Sequence, residues 1–215
     1  MKTKKTLYHL VVDKSGSMRD SIDATIEGFN AQLDRIRSLA LEFPEQDITL
    51  GLTLFDDRVQ CLYSTEAPGK CPLLDHKSYK PGGRTALLDA IGLTIRELEK
   101  DRANIEIFQT VTVVMVVITD GHENASRLFT FEDVSKKIAA LQETGQWTFS
   151  YLGATLDAAD IGNKLNIDKR NSRSYDKKDM GRDVFDKVSD SMRAYLLKKR
   201  MGGDLNDFLD KTDKD

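Results

Sequence analysis

An α/β fold, with a doubly wound and mostly parallel central sheet, one antiparallel edge strand and helices on both faces, is predicted by three observations. Strand-like and helix-like segments alternate along the 215 residues. Val111 to Ile118 is apolar apart from Thr112, as expected of a parallel strand covered on both faces. Asp56-Asp57-Arg58 joins two strand-like runs by so short a connection that only a hairpin fits, which makes that pair antiparallel.

The elements follow in order. Tyr8 to Val12 is a short apolar strand ending at Asp13, and Ile22, Ile26, Phe29, Leu33 and Ile36 then recur at helical spacing. Pro44 stops that helix, because proline lacks an N–H and restricts the residue before it. Ile48, Leu50, Leu52 and Leu54 alternate with Thr49, Gly51 and Thr53 as a strand, and the hairpin leads into Val59 to Tyr63. Residues 64–84 read as loop. From Thr85 a helix carries Leu87, Ile91, Ile95 and Leu98 on one face, followed by the apolar strand that ends at Thr119-Asp120-Gly121.

Thr130 and Asp133 form a capping-box pattern before a helix with Val134, Ile138 and Leu141, and Gly145 is a natural stop. Trp147, Phe149 and Tyr151 alternate in a further strand. A short helix near 156–165, a weak strand near 172–175 and a last helix carrying Met180, Val184, Val188, Met192 and Tyr195 complete the pattern. The expected organisation is one domain over residues 1–200 and a polar, acidic tail over 201–215. The tail's composition predicts disorder, although Leu205, Phe208 and Leu209 offer a short docking segment.

Composition narrows the function classes. With 40% hydrophobic and 31% charged residues, the chain fits a soluble globular protein. A formal net charge of −3 favours neither nucleic acid nor an anionic membrane as partner. The basic start is followed by an apolar run too short for a signal-peptide core, and no stretch is long enough to cross a bilayer, so a cytoplasmic protein is expected. Cys61 and Cys71 make neither a disulfide framework nor a zinc site. Cys61 is expected as a small apolar strand residue and Cys71 as a loop residue.

Three polar segments carry the chemistry: Asp13-Lys14-Ser15-Gly16-Ser17-Met18, Gly82-Gly83-Arg84-Thr85 and Thr119-Asp120-Gly121. The first and third follow strands, and the second opens a helix. Ligands of open α/β sheets bind at the carboxyl ends of the strands, where these segments can meet. Carboxylate and hydroxyl oxygens suit Mg²⁺, Ca²⁺ or Mn²⁺ rather than zinc or copper. Gly16 is expected to turn the first loop tightly. The plainer reading is that Ser15 and Ser17 cap the next helix while Asp120 sits in a turn. Lys14, Met18, Arg19 and Arg84 are candidate rim residues, with a solvated surface as the plainer reading. Glu123 is a candidate competitor for an open metal position, with an ordinary exposed loop residue as the favoured reading. His9, His76 and His122 lack a metal-ligand spacing.

Asp13-x-Ser15-x-Ser17, Gly83-x-Thr85-x-Leu87 and Ile118-Thr119-Asp120-Gly121 together resemble the metal-ion-dependent adhesion site of von Willebrand factor A domains. The resemblance extends over the alternating architecture from about residue 7 to 195. It implies a Rossmann-like fold and a divalent-cation site formed by Asp13, Ser15, Ser17, Thr85 and Asp120, with Mg²⁺ expected and Mn²⁺ or Ca²⁺ as alternatives. It further implies that some of these side chains act through water and that a protein partner supplies a carboxylate to the metal. Without a secretion signal or cysteines closing the domain, the chain looks closer to small intracellular bacterial and phage members than to adhesion proteins.

Two functional classes follow. The first is a metal-dependent protein-binding module or adaptor without enzymatic activity. The second is a metal-dependent hydrolase or phosphatase, with Asp13 as an aspartyl nucleophile after its strand. Against the second, Ser15 stands where a D-x-D arrangement would place an acid/base, and no lysine or histidine is evident in that role. A structural subunit with a vestigial site is the third alternative.

Overall fold

The computed structural model describes residues 4–106, 110–154 and 158–209. Six strands form one sheet in the order β3-β2-β1-β4-β5-β6. They are β1 (Lys4–Asp13), β2 (Gln46–Phe55), β3 (Val59–Glu66), β4 (Thr110–Thr119), β5 (Trp147–Gly153) and β6 (Ser172–Ser174). All neighbours are parallel except β2 and β3, whose hairpin makes the one antiparallel edge. Strand order reverses between β1 and β4, so the loops leaving these two strands diverge and leave a crevice between them.

Alternation along each strand divides the core into two layers. Tyr8, Leu10 and Val12 of β1 face α1 (Ile22–Glu42) and α5 (Arg182–Met201). Leu7 and Val11 face the opposite layer, with α2 (Leu87–Glu106), α3 (Phe131–Glu143) and α4 (Ala158–Lys164). Both faces of β1 and β4 are therefore buried, which explains why they read as nearly continuous apolar runs. Among the described residues no helix is long and apolar enough to cross a membrane.

The structure departs from expectation in four places. β3 extends to Glu66, shortening the predicted loop. Met180 is buried but precedes α5: Gly181 has φ +110, and a β-carbon there would lie 2.8 Å from the Ala24 carbonyl oxygen. Cys61, the expected strand residue, is exposed because β3 is the edge strand, whereas Cys71, expected in a loop, is buried. The segment after α5 packs on the domain as far as the described residues run. Phe208 lies between Tyr8 and Tyr195, and the Asn171 side-chain oxygen accepts the N–H groups of Phe208 and Leu209. Residues 210–215, and the predicted helix's first positions at 156 and 157, lie outside the described residues.

Candidate metal centre

β1 and β4 deliver Asp13 and Asp120 to the same edge of the sheet, on either side of the point where strand order reverses. Asp13 is fully buried. Its Oδ1 accepts the Ser15 N–H at 2.6 Å, and its Oδ2 accepts the Thr119 hydroxyl at 2.5 Å. Burial raises the Asp13 pKa to about 6, with the Asp120 charge adding to the rise while bonds from Thr119 and Ser15 oppose it.

The hydroxyls complete a continuous oxygen-rich surface. Ser15 Oγ and Ser17 Oγ are 3.1 Å apart, and Ser17 donates to Asp120 Oδ1 at 2.5 Å. Thr85 joins them through Gly121. A β-carbon on Gly121 would lie 2.8 Å from Thr85 Oγ1 and 3.5 Å from both Asp13 Oδ2 and Ser17 Oγ. A side chain at 121 would therefore crowd the Thr85 hydroxyl, while Asp13 and Ser17 lie at ordinary contact distance. All five predicted residues come together, although their loops are far apart in sequence.

Backbone bonds hold the three loops to one another. Gly16 N–H donates to the Gly83 carbonyl at 3.1 Å, and Gly82 N–H to that of Lys14 at 2.9 Å. Gly16 does not use a positive φ; it is small because a β-carbon would lie 3.2 Å from the Gly83 oxygen. The Thr85 carbonyl accepts from Asn124 and Ala125, while Thr85 N–H donates to the Asn124 side chain. Ser15 makes no side-chain cap to the helical turn that follows, and the Ser17 hydroxyl is bonded to Asp120 instead, which removes the plain capping reading of the first segment.

Among the candidate rim residues, Arg19 and Arg84 are exposed, but Met18 belongs to the core. Lys14 is ion-paired with Asp56 at 2.5 Å. Glu123 is turned away from the carboxylates and accepts the N–H groups of Leu88, Ala125 and Ser126, so it anchors its loop to the start of α2. That contact favours the plainer reading of a loop residue over that of a competing ligand.

Three residues at the site escaped the sequence reading. Tyr79 donates to the Asp13 carbonyl at 2.6 Å, and Tyr175 donates to the Thr119 carbonyl at 3.0 Å, so a phenol steadies the end of each strand that carries a candidate carboxylate. Lys177, in a short 3-10 turn after β6, places Nζ 2.9 Å from Asp120 Oδ2 and 2.5 Å from the Ser17 carbonyl. In sequence it is half of a Lys-Lys pair in a polar stretch; only the position of β6 brings it to this edge.

The donor set suits a hard divalent cation: two carboxylates, three hydroxyls and no nitrogen or sulfur ligand. Among the described residues no three His, Cys, Asp or Glu side chains gather as a metal cluster, so the hydroxyls are essential to such a site. Two negative charges balance a divalent ion, and the exposure of Ser17 leaves one side open to solvent.

The von Willebrand factor type A domain model matches residues 9–187, which include all five residues. Among solved structures, the fold is similar to the vWF domain of the type V pili tip protein Mfa5 from Porphyromonas gingivalis. That match has a TM-score of 0.61 at 10% identity and covers 91% of this chain and 97% of the other. It is also similar to manganese-loaded Plasmodium vivax TRAP protein (TM-score 0.56, 15% identity, 88% and 74% covered). The ArnB paralog VWA2 from Sulfolobus acidocaldarius matches with a TM-score of 0.54 at 16% identity, over 89% of this chain, which spans 45% of that protein's length. A search of the curated proteins found no match. With the family match spanning most of the sequence and the sheet in the same architecture, the chain belongs to the von Willebrand factor type A domain family.

Proposed function

We propose that the chain is a metal-dependent protein-binding module in which Asp13, Ser15, Ser17, Thr85 and Asp120 hold a divalent cation, with Mg²⁺ as the expected ion. The observation that carries this reading is the meeting of five oxygen side chains from three loops around Gly121. The manganese-loaded state of the TRAP structure supports it by likeness of fold. Bound there, a hard cation supplies an electrophilic position that accepts a carboxylate oxygen from a partner protein.

The chain's own residues prepare that position. Asp13 and Asp120 supply the charge, while Thr119, Tyr79 and Tyr175 fix the strand ends that present them. Ser15 and Ser17 bond to one another and Ser17 donates to Asp120, an arrangement of hydroxyls that orients ligands and provides no general base. A binding role accounts for these hydroxyls better than hydrolysis does.

Titration calorimetry of metal-stripped protein with Mg²⁺, Mn²⁺ and Ca²⁺ tests the reading. Saturable binding is expected in the wild type and is lost in Asp13→Ala, with an unchanged circular dichroism spectrum. No binding of any of the three ions to the wild type would overturn it. Turnover of phosphate esters that disappears in Asp13→Ala would favour the hydrolase instead.

A further inference from the structure

Asp120 already has a cationic partner within the chain. Its side chain is only 1% exposed, yet Lys177 Nζ reaches Oδ2 at 2.9 Å. The same ammonium donates to the Ser17 carbonyl at 2.5 Å and so bridges two of the three loops that build the site. Two carboxylates, Asp13 and Asp120, lie at this edge, where like charges repel. A positive group beside Asp120 relieves part of that repulsion.

The backbone carrying Lys177 is anchored. Tyr175 N–H donates to the Gly153 carbonyl, its hydroxyl bonds to the Thr119 carbonyl, and Asp176 caps the turn through the Lys178 N–H. The side chain is different: it is 39% exposed, and a four-carbon stem can swing into solvent without moving its anchor. A divalent ion on Asp120 would place two positive charges beside the ammonium, where like charges repel.

We propose that Lys177 is a tethered cation that closes the metal-free site and is displaced when a divalent ion binds. This rests on the reading of the five-residue site as a cation site. Lys177 then sets the metal concentration at which the site becomes available to a partner. It also keeps the loops of Asp120 and Ser17 together in the metal-free protein. Once displaced, the ammonium lies on the rim of the site.

The test compares Mg²⁺ affinity in the wild type, Lys177→Met and Lys178→Met, together with amine labelling of Lys177 read by mass spectrometry. Lys178 is the control, since it pairs with Asp176 at the surface. Lys177→Met is expected to bind Mg²⁺ about threefold to tenfold more tightly, the effect of losing one charge-assisted competitor. Lys178→Met should match the wild type. Labelling of Lys177 in the wild type should rise on Mg²⁺ addition, and the metal-free Lys177→Met protein should melt at a lower temperature. Equal affinities with labelling indifferent to Mg²⁺ would overturn the proposal while leaving the metal site intact. Failure of both wild type and Lys177→Met to bind Mg²⁺ would defeat the metal reading and this inference with it.

Discussion

His9 lies in the middle of β1, fully buried, with Nε2 2.8 Å from Thr53 Oγ1; Thr94 in turn donates to that threonine at 3.1 Å. A β-carbon on its cross-strand neighbour Gly51 would lie 2.0 Å from the ring, so glycine there makes room for histidine. Burial drives the His9 pKa down to about 3, against weaker support from the Ser64 backbone. The folded protein therefore keeps this ring neutral at pH values where the unfolded chain, with an ordinary histidine near 6.5, has taken a proton. The resulting stability is complete above pH 6.5 and is lost as pH falls toward 3, at about 1.4 kcal/mol per pH unit. Asp13 works the other way: its raised pKa favours the metal-free fold at low pH and withdraws that support as pH rises through about 6. Urea unfolding of metal-free wild type and His9→Gln at pH 7 and pH 5 separates the two. The wild type should lose roughly 2 kcal/mol more than the variant over that interval. Equal losses would mean that His9 is not held neutral.

At the scale of elements, two carboxylates clamp the loop that follows Asp120. Glu123 reaches from the loop to the Leu88 N–H, and Asp89 reaches back from the first turn of α2 to the N–H groups of Arg127, Leu128 and Phe129. Three donors rest on one side chain that is nearly buried. Asp89→Ala should therefore destabilise the protein by roughly 2–3 kcal/mol and open residues 122–129 to limited proteolysis. An unchanged cleavage pattern would show that the clamp does not order the loop. The elements that were legible in the sequence share a cause: each carries a local signal. The period of two in β2, the helical stripes of α1 and α2, and the reciprocal bonds of Thr130 and Asp133 depend on near neighbours. The convergence of the five candidate residues was legible because it depends on fixed spacing within three short loops at the sheet's edge. Tyr79, Tyr175, Lys177 and the inward turn of Glu123 were not, because each depends on a contact across the fold. Edge exposure of Cys61 likewise depends on strand order rather than on the alternation within β3.

For the whole molecule, the question is what closes the end of the fold opposite the candidate site. The chain leaves α5 through Gly202, in a left-handed conformation, and turns back at Gly203. It then lays Leu205, Phe208 and Leu209 against the layer formed by α1 and α5. The Leu205 carbonyl accepts from Thr148 on β5, the Asn206 carbonyl from Asn171, and the Asn171 side chain takes the next two N–H groups. Composition hid this because the segment is polar and acidic overall; three apolar side chains and one asparagine are enough to offset the entropy of ordering it. Nearby, Lys199 donates to the Lys5 carbonyl and to the hydroxyls of Thr6 and Thr112, fastening α5 to the same end of β1 and β4. Removing the Phe208 ring should leave a cavity between Tyr8 and Tyr195 and cost roughly 3–5 kcal/mol. In a protein of this size, that lowers the melting midpoint by on the order of 10 °C. Magnesium affinity measured well below that midpoint should stay at the wild-type value, because the five site residues lie at the other end of the strands. Thermal unfolding of Phe208→Ala, with calorimetry in Mg²⁺, checks both halves. A midpoint within about 2 °C of the wild type would mean that the segment rests on the domain without stabilising it. A loss of metal affinity in the folded variant would mean instead that the two ends of the sheet are coupled.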